Sequence, residues 1–230
     1  MDGESPSKTA IETVYLALRQ AILNGEVEPE SRLRVQELRE RFEVGSSTIR
    51  EALSRLLVDN FVTAEGQRGF RVAPVSLKDF REISELRVLL ETQAVCDSLA
   101  QGDDAWENRL VAAAHQLDKV ERLLPERRAD AAYLRDWEAR NAEFHDALVA
   151  ACDNAWLRRF RSQVFAHSVR YRRIVVSESN QPRDVRAEHQ ALFEAAIARD
   201  VETTVEITAE HIRKSVGVLE GRLADLPKVS

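Results

Sequence analysis

Asn141 and His145 stand four residues apart, and a helix puts positions i and i+4 on one face. His189 lies eleven residues before Asp200, and His211 lies eleven after it. If Asp200 turns a helical hairpin, each imidazole sits about 16 Å from that turn, at about 1.5 Å per residue. Antiparallel helices then hold both rings at one level. Two imidazoles at one level, with Asn141 and His145 from another helix, make a candidate site for a divalent ion that accepts nitrogen ligands. The plainer reading of any single histidine is a packed or surface side chain, and His115 and His167 are read that way. Arg87 and Glu91 also share a helical face. They read either as a surface ion pair or as a guanidinium aimed into a cavity, where it would hold a carboxylate bidentately. Arg170, with Tyr171 and Arg173, is a further candidate for that cavity.

Helices must position these residues. From residue 79 onward the apolar spacing predicts about six helical segments: 79–101, 104–123, 130–152, 154–178, 182–199 and 201–224. Gly102-Asp103, Pro125, Asp153-Asn154, Asn180-Gln181-Pro182 and Asp200 separate them, and short connections predict an antiparallel bundle. The chain before residue 75 reads differently. A helix is expected from Thr9 to Asn24, with Ile11, Val14, Tyr15, Leu18 and Ile22 on one face and Gly25 as its stop. Leu38 and Phe42 give a second helix its apolar face, and Glu43-Val44-Gly45 interrupts it. Ile49, Leu53, Leu56 and Leu57 continue at helical spacing from Ser46-Ser47-Thr48. Phe61–Ala64 and Phe70–Ala73 then read as a hairpin, joined by Glu65-Gly66-Gln67-Arg68-Gly69. The expected fold is mainly α: a winged helix-turn-helix over 1–74, a linker at 75–78, and an all-α bundle over 79–230. A helix-turn-helix reads DNA by presenting the N-terminal end of its second helix to base edges; the pattern alone also fits a small α+β domain without that role.

The 230 residues suffice for two modest cores, and no apolar run reaches the length of a transmembrane helix. The N-terminus lacks a basic region followed by an apolar one, so a cytoplasmic chain is expected. Cys96 and Cys152 sit in apolar helical patterns and are expected as free thiols. The net charge is −6, and residues 1–74 hold 10 Lys and Arg against 12 Asp and Glu. Any basic footprint for DNA must therefore be local, with marked salt dependence and a need for two copies on the DNA.

Gly25-Glu-Val-Glu-Pro29-Glu-Ser-Arg-Leu33, Glu37-Leu38 and Phe42-Glu-Val-Gly-Ser-Ser-Thr-Ile-Arg50-Glu51-Ala52-Leu53 together resemble the DNA-binding domain of GntR-type transcription regulators. The likeness continues through Arg55-Leu56, Arg68-Gly69 and Val72-Ala73-Pro74. It implies that Arg50 meets a guanine edge or a phosphate, and that Arg68 and Gly69 at the wing tip touch the minor groove or backbone. Ser46, Ser47 and Thr48 offer hydroxyls and free N–H groups to phosphates at the helix start. Thr48 with Glu51 is alternatively a capping box. Arg32 and Arg39 could reach phosphates, although Arg39 and Arg55 also fit a solvated helix surface. Relatives commonly carry an arginine where this chain has Ser46, so its operator is expected to differ from theirs.

Asn141-Ala-Glu-Phe144-His145-Asp-Ala-Leu148, Asp153-Asn154, Glu188-His189 and His211-Ile212 resemble the FCD domain of the FadR-like branch of that family. The resemblance implies a divalent ion held by Asn141, His145, His189 and His211. Asp is commoner at the first position; Asn brings an oxygen without charge, which favours Zn²⁺ or Ni²⁺. Leu86-Arg87-Val-Leu-Leu-Glu91 resembles that domain's opening helix, with Arg87, Glu91 and Arg170 as candidate effector residues. The expected protein is a non-enzymatic regulator, a repressor and homodimer that binds double-stranded operator DNA, answers to a small carboxylate and needs no membrane. The competing readings are a metal-dependent hydrolase with an appended winged helix, in which Glu143 or Asp146 would have to serve as base, and a purely structural metal.

Overall fold

The computed structural model describes residues 6–65, 69–178 and 183–225, which fall into two compact units, Met1–Ser76 and Leu77–Ser230. In the first unit, α1 (Pro6–Leu23) lies against α3 (Ser46–Val58). Val14, Leu18 and Ile22 of α1 and Ile49, Ala52, Leu53 and Leu56 of α3 are buried, as helical spacing on one face requires. Between them, α2 (Val35–Phe42) ends at Glu43, which takes the left-handed conformation with φ 53°. Gly45 then precedes α3 as its N-cap without a side-chain hydrogen bond, so the first N–H groups of α3 have no side-chain cap. The alternative of a Thr48–Glu51 capping box therefore does not form: the helix starts at Ser46, and Glu51 lies 3.6 Å from Arg55 instead.

Three short strands complete this unit in the order β1 (Arg32–Leu33), β3 (Phe70–Val72), β2 (Val62–Ala64), all antiparallel. The hairpin is the expected wing, each arm a residue shorter. Strand β1, with Arg32 opposite Arg71 and Leu33 opposite Phe70, is an addition. Two residues carry no periodicity, so nothing in the sequence marks them as a strand.

The described elements of the second unit are all helices: α4 (Leu77–Gln101), α5 (Asp104–Glu121), α6 (Leu124–Arg127), α7 (Ala131–Leu148), α8 (Ala155–Glu178), α9 (Val185–Ile197) and α10 (Val201–Asp225). Side chains of Asp103, Asp130 and Asp184 accept backbone N–H bonds and cap α5, α7 and α9. Pro125 sits in the first turn of α6, so the expected break is a one-turn helix. Helix α4 packs against α10 and α8, and α5 packs against α7 and α9. Trp106, Leu110, Leu117, Trp137, Phe144, Leu148 and Leu192 form the centre of the core. Among the described residues no helix is long and apolar enough to cross a membrane, and both cysteines are free thiols.

Gly102 closes the turn after α4. Arg199 donates to the carbonyls of Leu99 and Gly102, each at 3.0 Å, with its guanidinium 4.2 Å over the Trp106 ring. A Cβ at position 102 would stand 2.8 Å from Trp106 ring atoms and 2.6 Å from Arg199 Nη1. Gly102→Ala should therefore lower stability by about 1–3 kcal/mol through overpacking. A urea melt reads this directly, and an unchanged midpoint would refute it.

Candidate functional site

The helical unit gathers His145 from α7, His189 from α9 and His211 from α10, with one nitrogen of each within 4.8 Å of the others. Asp200 caps the α9–α10 turn by accepting the N–H of Thr203 at 3.0 Å, and the rings of His189 and His211 lie 4.7 Å apart. His145 is 5.4 Å from His189 and 5.3 Å from His211, centroid to centroid. Asn141, one turn before His145, is buried with it.

Carboxylates fix how the rings face. His189 Nδ1–H donates to Glu121 Oε1 at 2.8 Å, and Trp137 Nε1–H donates to the same oxygen at 3.2 Å. His211 Nδ1–H donates to Glu188 Oε2 at 2.8 Å, while Arg183 grips both Glu188 oxygens at 3.0 and 2.6 Å. A carboxylate only accepts, so Nδ1 carries a proton, and in the neutral ring Nε2 then has its lone pair to offer, the arrangement found behind metal-ligating histidines. Burial raises the Glu188 carboxyl, but the hydrogen bonds from His211 and Arg183 outweigh it and bring it down to about 2. Burial pushes His211 down to about 3 and, with the other two imidazoles nearby, holds His145 well below the ordinary histidine range. Neutral imidazoles are the form that binds metals.

Nε2 of His145, Nε2 of His189 and both amide atoms of Asn141 are buried without a hydrogen-bond partner. Unpaired buried polar atoms of this kind are rare in folded proteins and require a reason. An ion taking the two ring nitrogens and the Asn141 oxygen would supply one, so the residues fit a metal on their own chemistry.

Beside this cluster stands Phe165 of α8, its ring 5.8 Å from that of His145. Three guanidiniums face the Phe165 ring: Arg87 at 4.8 Å, Arg161 at 5.1 Å and Arg172 at 4.7 Å. Glu91 links two of them, accepting from Arg87 at 3.3 Å and from Arg161 at 2.8 Å. Arg161 also reaches Asp146, and Arg172 makes a two-pronged pair with Glu138 at 2.9 and 2.6 Å. Burial, with Arg172 and Arg161 close by, lowers the Arg87 guanidinium to about 10 against the pull of Glu91. The Arg87–Glu91 pair is thus no surface pair: the two are 5% and 2% exposed.

Arg170 is buried on the same helix α8. Its electrostatic neighbours are Tyr171 and Asp79, whereas His145 feels Arg87 and Arg172. The sequence reading missed Arg161 and Arg172. Their signal is the spacing of 161, 165, 168 and 172 along one stripe of α8, which carries the buried Phe165 and Ser168. Glu143 is exposed and pairs with Arg140 at 3.0 Å, and the exposed Asp146 pairs with Arg161, so neither is placed as a base for hydrolysis.

In the first unit Arg50 is exposed on α3, and among the described residues no carboxylate pairs with it. Ser46 and Ser47 are exposed at the same helix start, and Thr48 is half-buried. Arg32 is exposed on β1, and Gly69 opens β3 with φ 100°, a conformation that favours glycine. Arg68 lies outside the described residues. Arg55 is tied to Glu12 of α1 at 3.1 Å, and Arg71 is held by Glu65 and by the Glu30 carbonyl at 2.6 Å.

Comparison with known proteins matches residues 10–72 to the family model of bacterial regulatory proteins, gntR family, and residues 82–214 to the FCD domain. The chain is 39% identical over 214 residues to the HTH-type transcriptional regulator BphR of Paraburkholderia xenovorans (strain LB400), covering 92% of this chain and 86% of that protein. It is 32% identical over 214 residues to the HTH-type transcriptional repressor GlaR of Escherichia coli (strain K12), covering 91% and 96%. Among solved structures, E. coli McbR/YncC superposes with a TM-score of 0.75 at 20% identity, over 93% of this chain and 98% of that one.

Proposed function

Since the chain belongs to the GntR family of bacterial regulatory proteins and is a DNA-binding transcription regulator with an FCD domain, we propose that it is a repressor released by a small carboxylate bound at a metal centre. His145, His189, His211 and Asn141 hold a divalent ion, Zn²⁺ or Ni²⁺ by the preference of a three-imidazole set. The observation that carries this reading is the convergence of three buried imidazoles, two with carboxylates behind them and two with unpaired Nε2 atoms. The ion supplies a positive charge and open coordination positions for an oxygen ligand. Arg87 and His145 both lie against Phe165, at 4.8 and 5.8 Å from its ring, and Arg87 adds a fixed cation for the same carboxylate.

The DNA-reading residues are Arg50, with Ser46, Ser47 and Thr48 at the uncapped start of α3, Arg32 on β1, and Arg68 and Gly69 at the wing. The winged unit spans residues 1–74, residues 75–78 join it to the helical unit, and residues 79–230 bind effector and pair two copies. Two winged units then occupy a pseudo-palindromic operator, whose symmetry mirrors that of the pair. A carboxylate shifts operator binding only if it binds the two states with different affinity. A gel-shift titration against promoter DNA of the neighbouring genes tests this. Specific retardation at low salt, relieved by one of a panel of organic acids, is the expected result; absence of specific retardation with and without every acid would sink the reading.

A further inference from the structure

The four residues of the histidine cluster bring no negative charge of their own. Asn141 offers an amide oxygen, and an imidazole that ligates a metal is neutral. A dication held by them alone, buried as all four residues are, would carry its whole charge into a poorly hydrated interior. Most acidic side chains nearby are already matched. Glu91 pairs with Arg87 and Arg161 at 3.3 and 2.8 Å, Glu138 with Arg172 at 2.6 Å, and Glu188 with Arg183 at 2.6 Å. A guanidinium cancels each of them.

Glu121 is the exception. Its side chain is 1% exposed, and among the described residues no Lys or Arg forms an ion pair with it. Its Oε1 accepts from the Trp137 indole and from the His189 ring. Arg186 acts on it electrostatically, but that guanidinium donates to Asp118 at 2.7 Å and its side chain is 49% exposed, where water screens it. Glu121 is also the last residue of α5, the end at which the helix dipole opposes a negative charge. A buried carboxylate in that place, with no cation beside it, is expensive and needs a reason. The reason lies one imidazole away. His189 Nδ1–H donates to Glu121, Nε2 of the same ring is buried and unpartnered, and the ring lies 5.4 and 4.7 Å from those of His145 and His211.

We infer that Glu121 supplies the negative charge that Asn141 withholds, and that it is the positioning residue which sets how tightly the histidine cluster holds a divalent cation. The inference rests on the metal-centre reading above and says where its balancing charge comes from. Glu121 is not itself a ligand. It acts through His189, whose ring it orients and whose Nε2 it makes a stronger donor. Glu188 orients His211 in the same way but adds no net charge, because Arg183 grips both its oxygens. The two carboxylates therefore differ in effect, although each stands behind one imidazole.

Titration of the full-length protein with Zn²⁺ against a competing chelating dye tests this. Glu121→Gln keeps an oxygen for the N–H groups of His189 and Trp137 and removes the charge, so Zn²⁺ affinity should fall about ten- to a hundredfold. Asn141→Asp in that background returns one negative charge at a ligand position, and should restore affinity to the wild-type level or above it. Because Glu121 is buried, Glu121→Asp serves beside these: it keeps the charge on a shorter stem and should stay closer to wild type than Glu121→Gln. Wild-type affinity in Glu121→Gln protein that melts cooperatively overturns the inference and leaves the metal centre standing. A loss that Asn141→Asp does not restore overturns it too, since the carboxylate then only orients the ring or holds the fold. So does a greater loss in Glu121→Asp than in Glu121→Gln, which would make reach rather than charge decisive. If wild-type protein itself binds no Zn²⁺, the metal-centre reading falls and the role of Glu121 falls with it.

Discussion

Arg50→Ala protein is expected to lose specific operator binding while keeping its fold. Arg50 is exposed on α3 and makes no ion pair among the described residues, so its removal leaves nothing unsatisfied inside the unit. Ile49, Leu53 and Leu56, which fasten α3 to its unit, are untouched. A bidentate contact from arginine to guanine is worth about 1–3 kcal/mol in discrimination. Two copies on one operator double this to about 2–6 kcal/mol, at least about thirtyfold in affinity. Fluorescence anisotropy against operator and scrambled DNA reads both affinity and specificity. If Arg50 meets only phosphate, binding weakens alike on both DNAs and the salt slope falls by about one unit per contact. Wild-type affinity with an unchanged salt slope would remove Arg50 from the interface altogether. Arg55→Ala offers a contrast: that side chain is tied to Glu12 and Glu51, so its loss should alter DNA binding far less.

Removing the metal should be the other large effect. A ligand that binds only the folded state adds stability in proportion to the logarithm of its concentration over Kd, about 2.7 kcal/mol at a hundredfold excess. For a unit of this size each kcal/mol moves the melting temperature by about 2–4 °C. Chelator dialysis should therefore lower the melting transition by about 5–10 °C, and Zn²⁺ or Ni²⁺ should restore it. His189→Ala protein should ignore added metal because it lacks a ligand, and should melt at or below the chelated wild type because the buried Glu121 loses the ring it holds. Metal analysis showing no stoichiometric ion, with a melting curve indifferent to chelator, would overturn the centre.

Much of this arrangement is legible in the chain. The equal spacing of His189 and His211 about Asp200 is enough to level two rings across a hairpin, because helical rise is uniform and the turn is capped by that aspartate. The wing is legible because glycine punctuates two short apolar runs. The two-residue strand β1 is not, since only pairing with β3 defines it. Arg161 and Arg172 were hidden for another reason. Arginine on a long helix reads as solvated surface, and only the packing of α4 and α7 against α8 turns those positions inward. Arg170, the arginine of this helix that the sequence does single out, has Tyr171 and Asp79 as electrostatic neighbours.

The bond from Trp137 to Glu121 makes this protein its own optical instrument. Trp106 and Trp137 are buried at 3% and 2% exposure, and Trp156 is 63% exposed. The Trp106 indole donates to the Leu148 carbonyl, a backbone partner that no ligand displaces. The Trp137 indole instead shares its acceptor oxygen with His189. Any change in the charge that His189 draws from Glu121 is felt one hydrogen bond away by a chromophore in a dry environment. With Trp156 replaced by phenylalanine to remove the solvent-exposed background, the emission of Trp137 would follow occupancy of the histidine cluster in real time, without a label.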